Sequence, residues 1–345
     1  MSGNLINADP CLLNEVFVLL IGLILKGGEQ RISGDAIQAS AIRDYLSSLG
    51  VEVQVASSGR MPLAKWDYAI LFNLGLTIEA SLAADSCIRA GVPYIVFPVF
   101  WDLASVIPKD AAKALSFMLP ATSARRRAVA RLPSLSEELW TSRVHPAREW
   151  LFCLPDRQLM RHVLRHAFAI CPNSLAEMTH LASYLGVTLD NRWTVVRNGV
   201  WSDSIPSGVP WDERVDEIVC LGGLSPRKNS LTLVEAARDL GVRLRIVGQR
   251  EGRLDAYARK VVAAAGRNTS VEGPIKPDAA MKLLATAKVH AQVSYIETPG
   301  LASLEAIAAG ASVVVSSTPV VREYLPYGAI NVNPYSARRS IHRHG

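Results

Sequence analysis

Residues 289–316 read as consecutive pieces: Val289-His-Ala-Gln-Val-Ser294, Tyr295-Ile-Glu297-Thr-Pro-Gly300, Leu301-Ala-Ser-Leu-Glu305-Ala-Ile-Ala-Ala309 and, past Gly310 and Ala311, Ser312-Val-Val-Val-Ser316. The first and last are short runs of strand character. The third, rich in Ala and Leu and closed by a glycine, reads as a helix. A helix joining two strands so closely is a crossover between parallel strands. The piece before the helix carries the chemistry. Glu297 lies at the strand exit, Thr298, Pro299 and Gly300 suit a tight turn, and Glu305 falls about one turn into the helix. Two carboxylates thus flank a helix N-terminus, where free N–H groups face an anion while the carboxylates accept from the hydroxyls of a polyol. Acids near a positive helix end explain Glu305 equally well, but not the whole run.

The same alternation extends in both directions. Towards the C-terminal end, strands are expected at Glu217–Leu221, Arg243–Val247, Val289–Ser294, Ser312–Ser316 and Ala329–Val332, with helices at Leu231–Leu240, Leu254–Ala265, Asp278–Ala287 and Leu301–Ala309. In the first half, Val16–Leu25 is a continuous apolar run, as expected of a strand buried on both faces. Further strands are Val51–Ala56, Tyr68–Leu74, Tyr94–Val99, Phe168–Pro172 and Trp193–Arg197. Helices cover 36–49, Ile78–Ala90, Asp156–Ala167 and Leu175–Leu185. Residues 198–215 hold prolines and glycines without a period and mark the boundary. The expectation is an α/β chain of two doubly wound domains facing a cleft: 1–200, a linker at 201–215, and 216–345. Ligands of such sheets sit beyond the carboxyl ends of the strands.

Length and composition agree. A chain of 345 residues, 49% hydrophobic and 20% charged, exceeds the ~250–300 residues at which one core stops growing, and its composition excludes disorder and coiled coil. Five scattered cysteines without a Cys-x-x-Cys pair fit a reducing compartment. Val16–Leu25 is shorter than the ~20 residues of a membrane span and follows the acids Asp9 and Glu15, unlike a signal peptide. The expected location is cytoplasmic. Net charge is +6, with arginines concentrated between 125 and 165. That stretch reads either as a solvated helical face or as a peripheral contact with an anionic membrane. Nucleic acid is not expected, because no aromatics are interleaved with the arginines.

Two more strand-to-helix loops resemble the first. Leu221-Gly222-Gly223-Leu-Ser-Pro-Arg227-Lys228-Asn229-Ser230 combines glycines, a helix start and a full positive charge. It reads as a diphosphate site or as a basic loop with a cap at Asn229 or Ser230. Gly248, after the next strand, is a weaker signal.

Glu297-x7-Glu305, with Thr298-Pro299-Gly300-Leu301 after the first Glu and Glu-Ala-Ile-Ala-Ala-Gly310 at the second, resembles the signature of the retaining GT-B glycosyltransferases of glycosyltransferase family 4. Gly223-Leu-Ser-Pro-Arg-Lys228 resembles that family's Arg-x4-Lys loop, and Val195-Val-Arg-Asn198-Gly199-Val200 its Pro-Asn-Gly-Val segment. Lys26-Gly27-Gly28, with Gly34 and Asp35 opening a helix, resembles its first glycine-rich loop. The resemblance implies a GT-B fold and a nucleotide-diphosphate sugar as donor substrate, with no cofactor and no metal. A glycan or lipid-linked molecule would be the acceptor. Lys228, with Arg227 beside it, would meet the charge on the leaving diphosphate. Glu297 would hold the transferred sugar with the N–H groups of Gly300 and Leu301, and Glu305 the ribose. Gly222, Gly223, Thr298 and Pro299 would line the donor site, Gly248 would approach the base, and Gly27, Gly28 and Gly34 would face it across the cleft.

The chain departs from the family at three places. The arginine five positions before the lysine is Gly223, and Arg227 is not its equivalent. Where the family carries a histidine near the acceptor, this chain reads Phe97-Pro-Val-Phe-Trp101-Asp102. Trp101 and Asp102 read either as a sugar platform and a hydroxyl ligand or as an aromatic plug. The tail after Pro334 is short and basic where the family continues through further helices. Three function classes remain: an active transferase, a weakened GT-B protein that binds nucleotide or a partner, and another GT-B activity. An NAD enzyme is disfavoured, because no Gly-x-Gly-x-x-Gly follows the first strand.

Overall fold

The computed structural model describes residues 19–25, 34–57, 61–102, 156–188, 192–200, 205–206, 208–248 and 255–336. Its first half comprises β1 (Leu20–Ile24), α1 (Gly34–Ser48), β2 (Glu52–Ala56), β3 (Tyr68–Phe72), α2 (Thr77–Ala90), β4 (Tyr94–Phe97), α3 (Asp156–His166), β5 (Ala169–Ile170) and α4 (Leu175–Leu185). The second half comprises β6 (Val215–Leu221), α5 (Ser230–Leu240), β7 (Leu244–Val247), α6 (Asp255–Ala264), β8 (Thr269–Glu272), α7 (Pro277–Thr286), β9 (Ala287–Gln292), α8 (Leu301–Ala308), β10 (Ser312–Ser316), α9 (Pro319–Tyr324) and β11 (Ala329–Val332).

Both sheets are parallel. The first has the order β2-β1-β3-β4-β5, so the order reverses at the β1/β3 pair. Leu23 shows why these strands read as continuous apolar runs: it sits between Val55 and Ile70 and is fully buried. The second has the order β11-β10-β9-β6-β7-β8, with the reversal at β6/β9. Renumbered from its own first strand, this is the dinucleotide-fold order 3-2-1-4-5-6. The chain is therefore α/β with two Rossmann-like domains.

Close approach fixes β1. A Cβ on Gly22 would lie 2.2 Å from the Trp66 ring, so the indole occupies the space a side chain would take. Trp66 is buried there and donates from Nε1 to Gln54 at 3.2 Å.

The sequence expectation needs three corrections. Trp193–Arg197 is no strand: it makes one bridge, Trp193 to Ile170. It follows β5 through Thr194 N–H to Ile170 O at 3.0 Å and Val196 N–H to Pro172 O at 2.9 Å. Pro172 has no N–H to return, so the ladder cannot continue. The edge strand β8 and the short helix α9 carry too little apolar pattern to be read, and both exist. The expected linker, 201–215, carries local structure at its C-terminal end. Trp211–Glu213 forms a 3₁₀ turn, and buried Arg214 donates to the carbonyls of Val209, Ala287 and Ala309 at 3.1, 3.2 and 2.9 Å. Those bonds tie the segment to the second sheet.

Part of the basic stretch is visible in α3, where Arg157 and Arg161 have partners within the domain. Arg157 lies 4.4 Å over the Tyr184 ring, and Arg161 Nε donates to Leu185 O at 2.9 Å, where α4 ends. Arg192 closes α3 in the same way through the carbonyls of Arg165 and Ala167 at 3.0 and 2.9 Å. Cations at helix C-termini satisfy orphan carbonyls and complement the dipole. Residues 125–155 lie outside the described residues. Among the described residues no helix is long and apolar enough to cross a membrane.

The halves meet through α9 and α4. Glu323 accepts from Leu175 N–H and Ala176 N–H, both at 3.0 Å, and pairs with Arg197 at 3.1 Å. Tyr324 OH donates to Asn173 O and accepts from Asn198 N–H, each at 2.8 Å.

Candidate functional site

The reversal at β6/β9 opens a crevice at the carboxyl ends of those strands, and the loops leaving them carry Lys228 and Glu297. After β6, a 3₁₀ turn at Pro226–Lys228 ends on Asn229 in the left-handed region, φ 56°. Asn229 earns that backbone with its amide, which donates to Val293 O and Pro334 O at 3.1 Å each. Tyr295 N–H donates to Arg227 O at 2.9 Å. The β6 loop is thereby stapled to the β9 loop, and Lys228 Nζ meets Glu297 Oε1 at 2.7 Å.

This pair is largely shielded, with side chains 17% and 7% exposed. Burial pushes the Lys228 ammonium down, opposed by the attraction of Glu297. Burial alone would raise Glu297, but Lys228 and Arg227 overcome it and hold the carboxyl below its usual range. Gln292 Nε2 donates to the same Oε1 at 2.8 Å. Glu297 Oε2 lies towards Gly300, 3.7 Å from where a Cβ on that glycine would stand.

Glycines let the loops close in. A Cβ on Gly248 would lie 1.8 Å from Gly222 O, so only glycine allows the β7 exit to touch the β6 exit. A Cβ on Gly222 would stand 3.6 Å from Gln292 Nε2 and 3.7 Å from Lys228 Cε, so this glycine floors the same crevice. Gly300, φ 94°, is the N-cap of α8, with Leu301 the first helical residue. Pro299 therefore precedes the cap instead of starting the helix. Glu305 is half-buried on α8, and burial raises its carboxyl above the ordinary value. Thr298 turns its carbonyl to the other domain, 3.5 Å from Asn173 Nδ2.

The structure thus brings together Lys228, Glu297, Gly222, Gly223, Gly248, Gly300 and the α8 N-terminus. It does not bring Arg227 into contact with Glu297: its Nη1 reaches Ile296 O at 3.4 Å. Gly223 leaves the place of the family's arginine without a side chain.

Across the cleft, Gly27 and Gly28 lie outside the described residues, and Gly34 is the exposed first residue of α1. At the β1/β3 reversal an apolar recess is lined by Ile24, Leu25, Phe72 and Leu76, with Glu79 its only charged group. Trp101 stacks on His180, ring centroids 4.3 Å apart, so one indole face is already covered. Asp102 N–H donates to His180 Nε2 at 3.1 Å, which places the ring proton on Nδ1. Burial holds His180 below its ordinary value. The loop is anchored by Glu177, wholly buried, whose oxygens accept from Phe100 N–H at 2.8 Å and Asn173 N–H at 2.6 Å. Its carboxyl is pushed up to about 7 by burial, against the pull of those two bonds.

Sequence reasoning missed Gln292, His180 and Glu177, and it named Asn229 only as a cap, the N-cap of α5 that it is, without its bonds to Val293 and Pro334. Polar residues inside otherwise apolar strands were the available signal for the first. Nothing local marks the others. Among the described residues no group of three or more His, Cys, Asp or Glu is placed to hold a metal ion.

No curated protein matches the chain. Solved structures do match. A sucrose-phosphate synthase from Thermosynechococcus elongatus is 15% identical, with a TM-score of 0.66 over 94% of this chain and 89% of that one. Anabaena HepE, solved in complex with UDP and glucose, is 14% identical, with a TM-score of 0.64 over 94% and 88%. A UDP-forming alpha,alpha-trehalose-phosphate synthase from Burkholderia xenovorans is 13% identical, with a TM-score of 0.58 over 94% and 90%. These likenesses show the fold, which is the two-domain GT-B arrangement of glycosyltransferases. Within it, residues 203–338, the part that holds Lys228, Glu297 and Glu305, match the family Glycosyl transferases group 1.

Proposed function

We propose that the chain is a retaining glycosyltransferase of family 4, moving a hexose from a nucleotide-diphosphate sugar to a glycan or lipid-linked acceptor in polysaccharide biosynthesis. The observation that carries this reading is the Lys228–Glu297 pair at the β6/β9 reversal, beside the α8 N-terminus. An ammonium has three N–H donors. Lys228 can keep Glu297 and still donate to diphosphate oxygens, where its benefit grows as the bond to the anomeric carbon breaks. The new bond joins that carbon to an acceptor hydroxyl oxygen, and the hydroxyl proton leaves with the nucleoside diphosphate. Glu297 holds the sugar hydroxyls and Glu305 the ribose, while Trp101 and Asp102 flank the acceptor. No metal or cofactor enters the scheme. HepE, with its bound UDP and glucose, supports a nucleotide sugar as donor. Buried Cys87, Cys171 and Cys220, all unpaired, support a cytoplasmic setting.

The test is a thermal-shift screen against UDP, GDP, ADP and their sugar conjugates without added metal. A ligand at a hundred times its dissociation constant adds about 2.7 kcal/mol. One nucleotide series should shift the melting temperature, and Glu305→Gln should lose the shift. A shift without sugar transfer to any acceptor would favour a nucleotide-binding protein that has lost catalysis, a reading that Gly223 supports. No shift from any nucleotide would overturn both readings.

A further inference from the structure

Strand β9 is paired on both sides, by β6 and by β10. Such a strand normally carries apolar residues throughout. This one instead buries His290 and Gln292, and α8 lays buried Ser303 against them. His290 Nε2 lies 3.2 Å from Ser303 Oγ, Ser303 Oγ lies 3.4 Å from Gln292 Oε1, and Gln292 Nε2 lies 2.8 Å from Glu297 Oε1.

The direction of this chain follows from its end. A carboxylate accepts only, so Gln292 must turn its NH₂ to Glu297 and its carbonyl to Ser303. Ser303 must then donate its single proton to that carbonyl. The serine oxygen is left to accept, so His290 must carry its proton on Nε2. Every donor points towards the carboxylate, the arrangement in which successive bonds polarise one another.

Resting on the proposed donor site, we infer that Gln292, backed by Ser303 and His290, is a positioning residue for Glu297. With Lys228 it occupies Oε1 and so presents Oε2, on the Gly300 side, to the hydroxyls of the transferred sugar. The chain confers recognition of the sugar, not of the nucleotide.

The experiment compares the affinity for UDP with that for UDP-glucose, or for the matching pair of whichever series binds, in wild type, Gln292→Leu and Ser303→Ala. Loss of a hydrogen bond to a charged group corresponds to about tenfold or more. Gln292→Leu should therefore erase about tenfold of the sugar's added affinity and leave that for the bare nucleotide within about twofold. Ser303→Ala should do the same to a smaller extent. Equal weakening of both ligands would overturn the inference, since that is what a merely disturbed core would give. In a Glu297→Gln background, Gln292→Leu should have no further effect on the sugar term, and a full second loss would also overturn it. The nitrogen shifts of His290 in labelled protein need no ligand. A neutral ring with its proton on Nε2, altered in Ser303→Ala, supports the chain, and an Nδ1-protonated ring overturns it. If no nucleotide binds wild type while the Nε2 form is seen, the proposed function fails and the sugar-positioning role fails with it, and only the hydrogen-bonded arrangement remains.

Discussion

At the scale of single residues, the crevice is defined by what is missing as much as by what is present. Gly248 has no side chain because Gly222 O stands where its Cβ would be. Gly248→Ala should cost about 3 kcal/mol, because the obstacle is backbone that cannot rotate away, and chemical denaturation measures it directly. Lys228 works in the opposite sense, by presence. Lys228→Ala strands Glu297 without its cation, yet the largest loss is expected where charge develops. Its kcat should fall at least about a hundredfold, while KM for the donor changes far less. A loss confined to KM would assign Lys228 to ground-state binding alone. The residues that hold these groups were harder to read than the groups themselves. Lys228 and Glu297 stand in glycine-bearing loops at strand exits, a pattern that spacing reveals. Gln292 and Asn229 act through contacts to residues distant in sequence, and no local period encodes those.

At the scale of elements, legibility followed burial. Ser312–Ser316 and Leu175–Leu185 were readable to the residue, because apolar runs and a terminal glycine delimit them. β8 was not, since Thr269-Ser-Val-Glu272 pairs only with β7 and half its residues face solvent. α9 was missed for its length, yet it supplies the join between the halves. Glu323 on α9 accepts from the first two N–H groups of α4 in the other domain, adding to the cap from Ser174 within α4 itself. An acid at a helix N-terminus contributes about 1 kcal/mol. Glu323→Ala should lower stability by about that much, and hydrogen exchange at Leu175 and Ala176 should rise well beyond the rest of α4. Unchanged exchange at those amides would show that the contact does not persist in solution.

At the scale of the whole molecule, two buried titratable groups set opposing responses to pH. Burial pushes the His290 imidazole down to about 4 from 6.5. Between those values the unfolded chain binds a proton that the folded chain does not. Its contribution is therefore complete above pH 6.5 and declines as pH falls towards 4, about 3 kcal/mol in all. Glu177 behaves inversely: raised from 4.5 to about 7, it keeps a proton in the folded chain that the unfolded chain has lost, so its contribution declines as pH rises through that interval. Relative to wild type, His290→Phe should lose less stability at pH 4.5 than at pH 7, and Glu177→Gln should show the reverse trend. Denaturation midpoints across that range decide both. Parallel curves for wild type and variant would mean the group titrates alike in the folded and unfolded chain.

The indole that fills the space over Gly22 has a spectroscopic consequence. All seven tryptophans of the chain fall at or before Trp211, and none lies in the second sheet or its helices. Intrinsic emission therefore belongs to the first half and the connecting segment, with Trp66 its most enclosed contributor at 5% exposure among the described residues. Melting followed by fluorescence tracks that half, while circular dichroism follows both, so a gap between the two midpoints would reveal halves that unfold separately. A nucleotide seated between β6 and β9 meets no indole from the second sheet or its helices, and any change it causes in emission reports on the first half or the connecting segment.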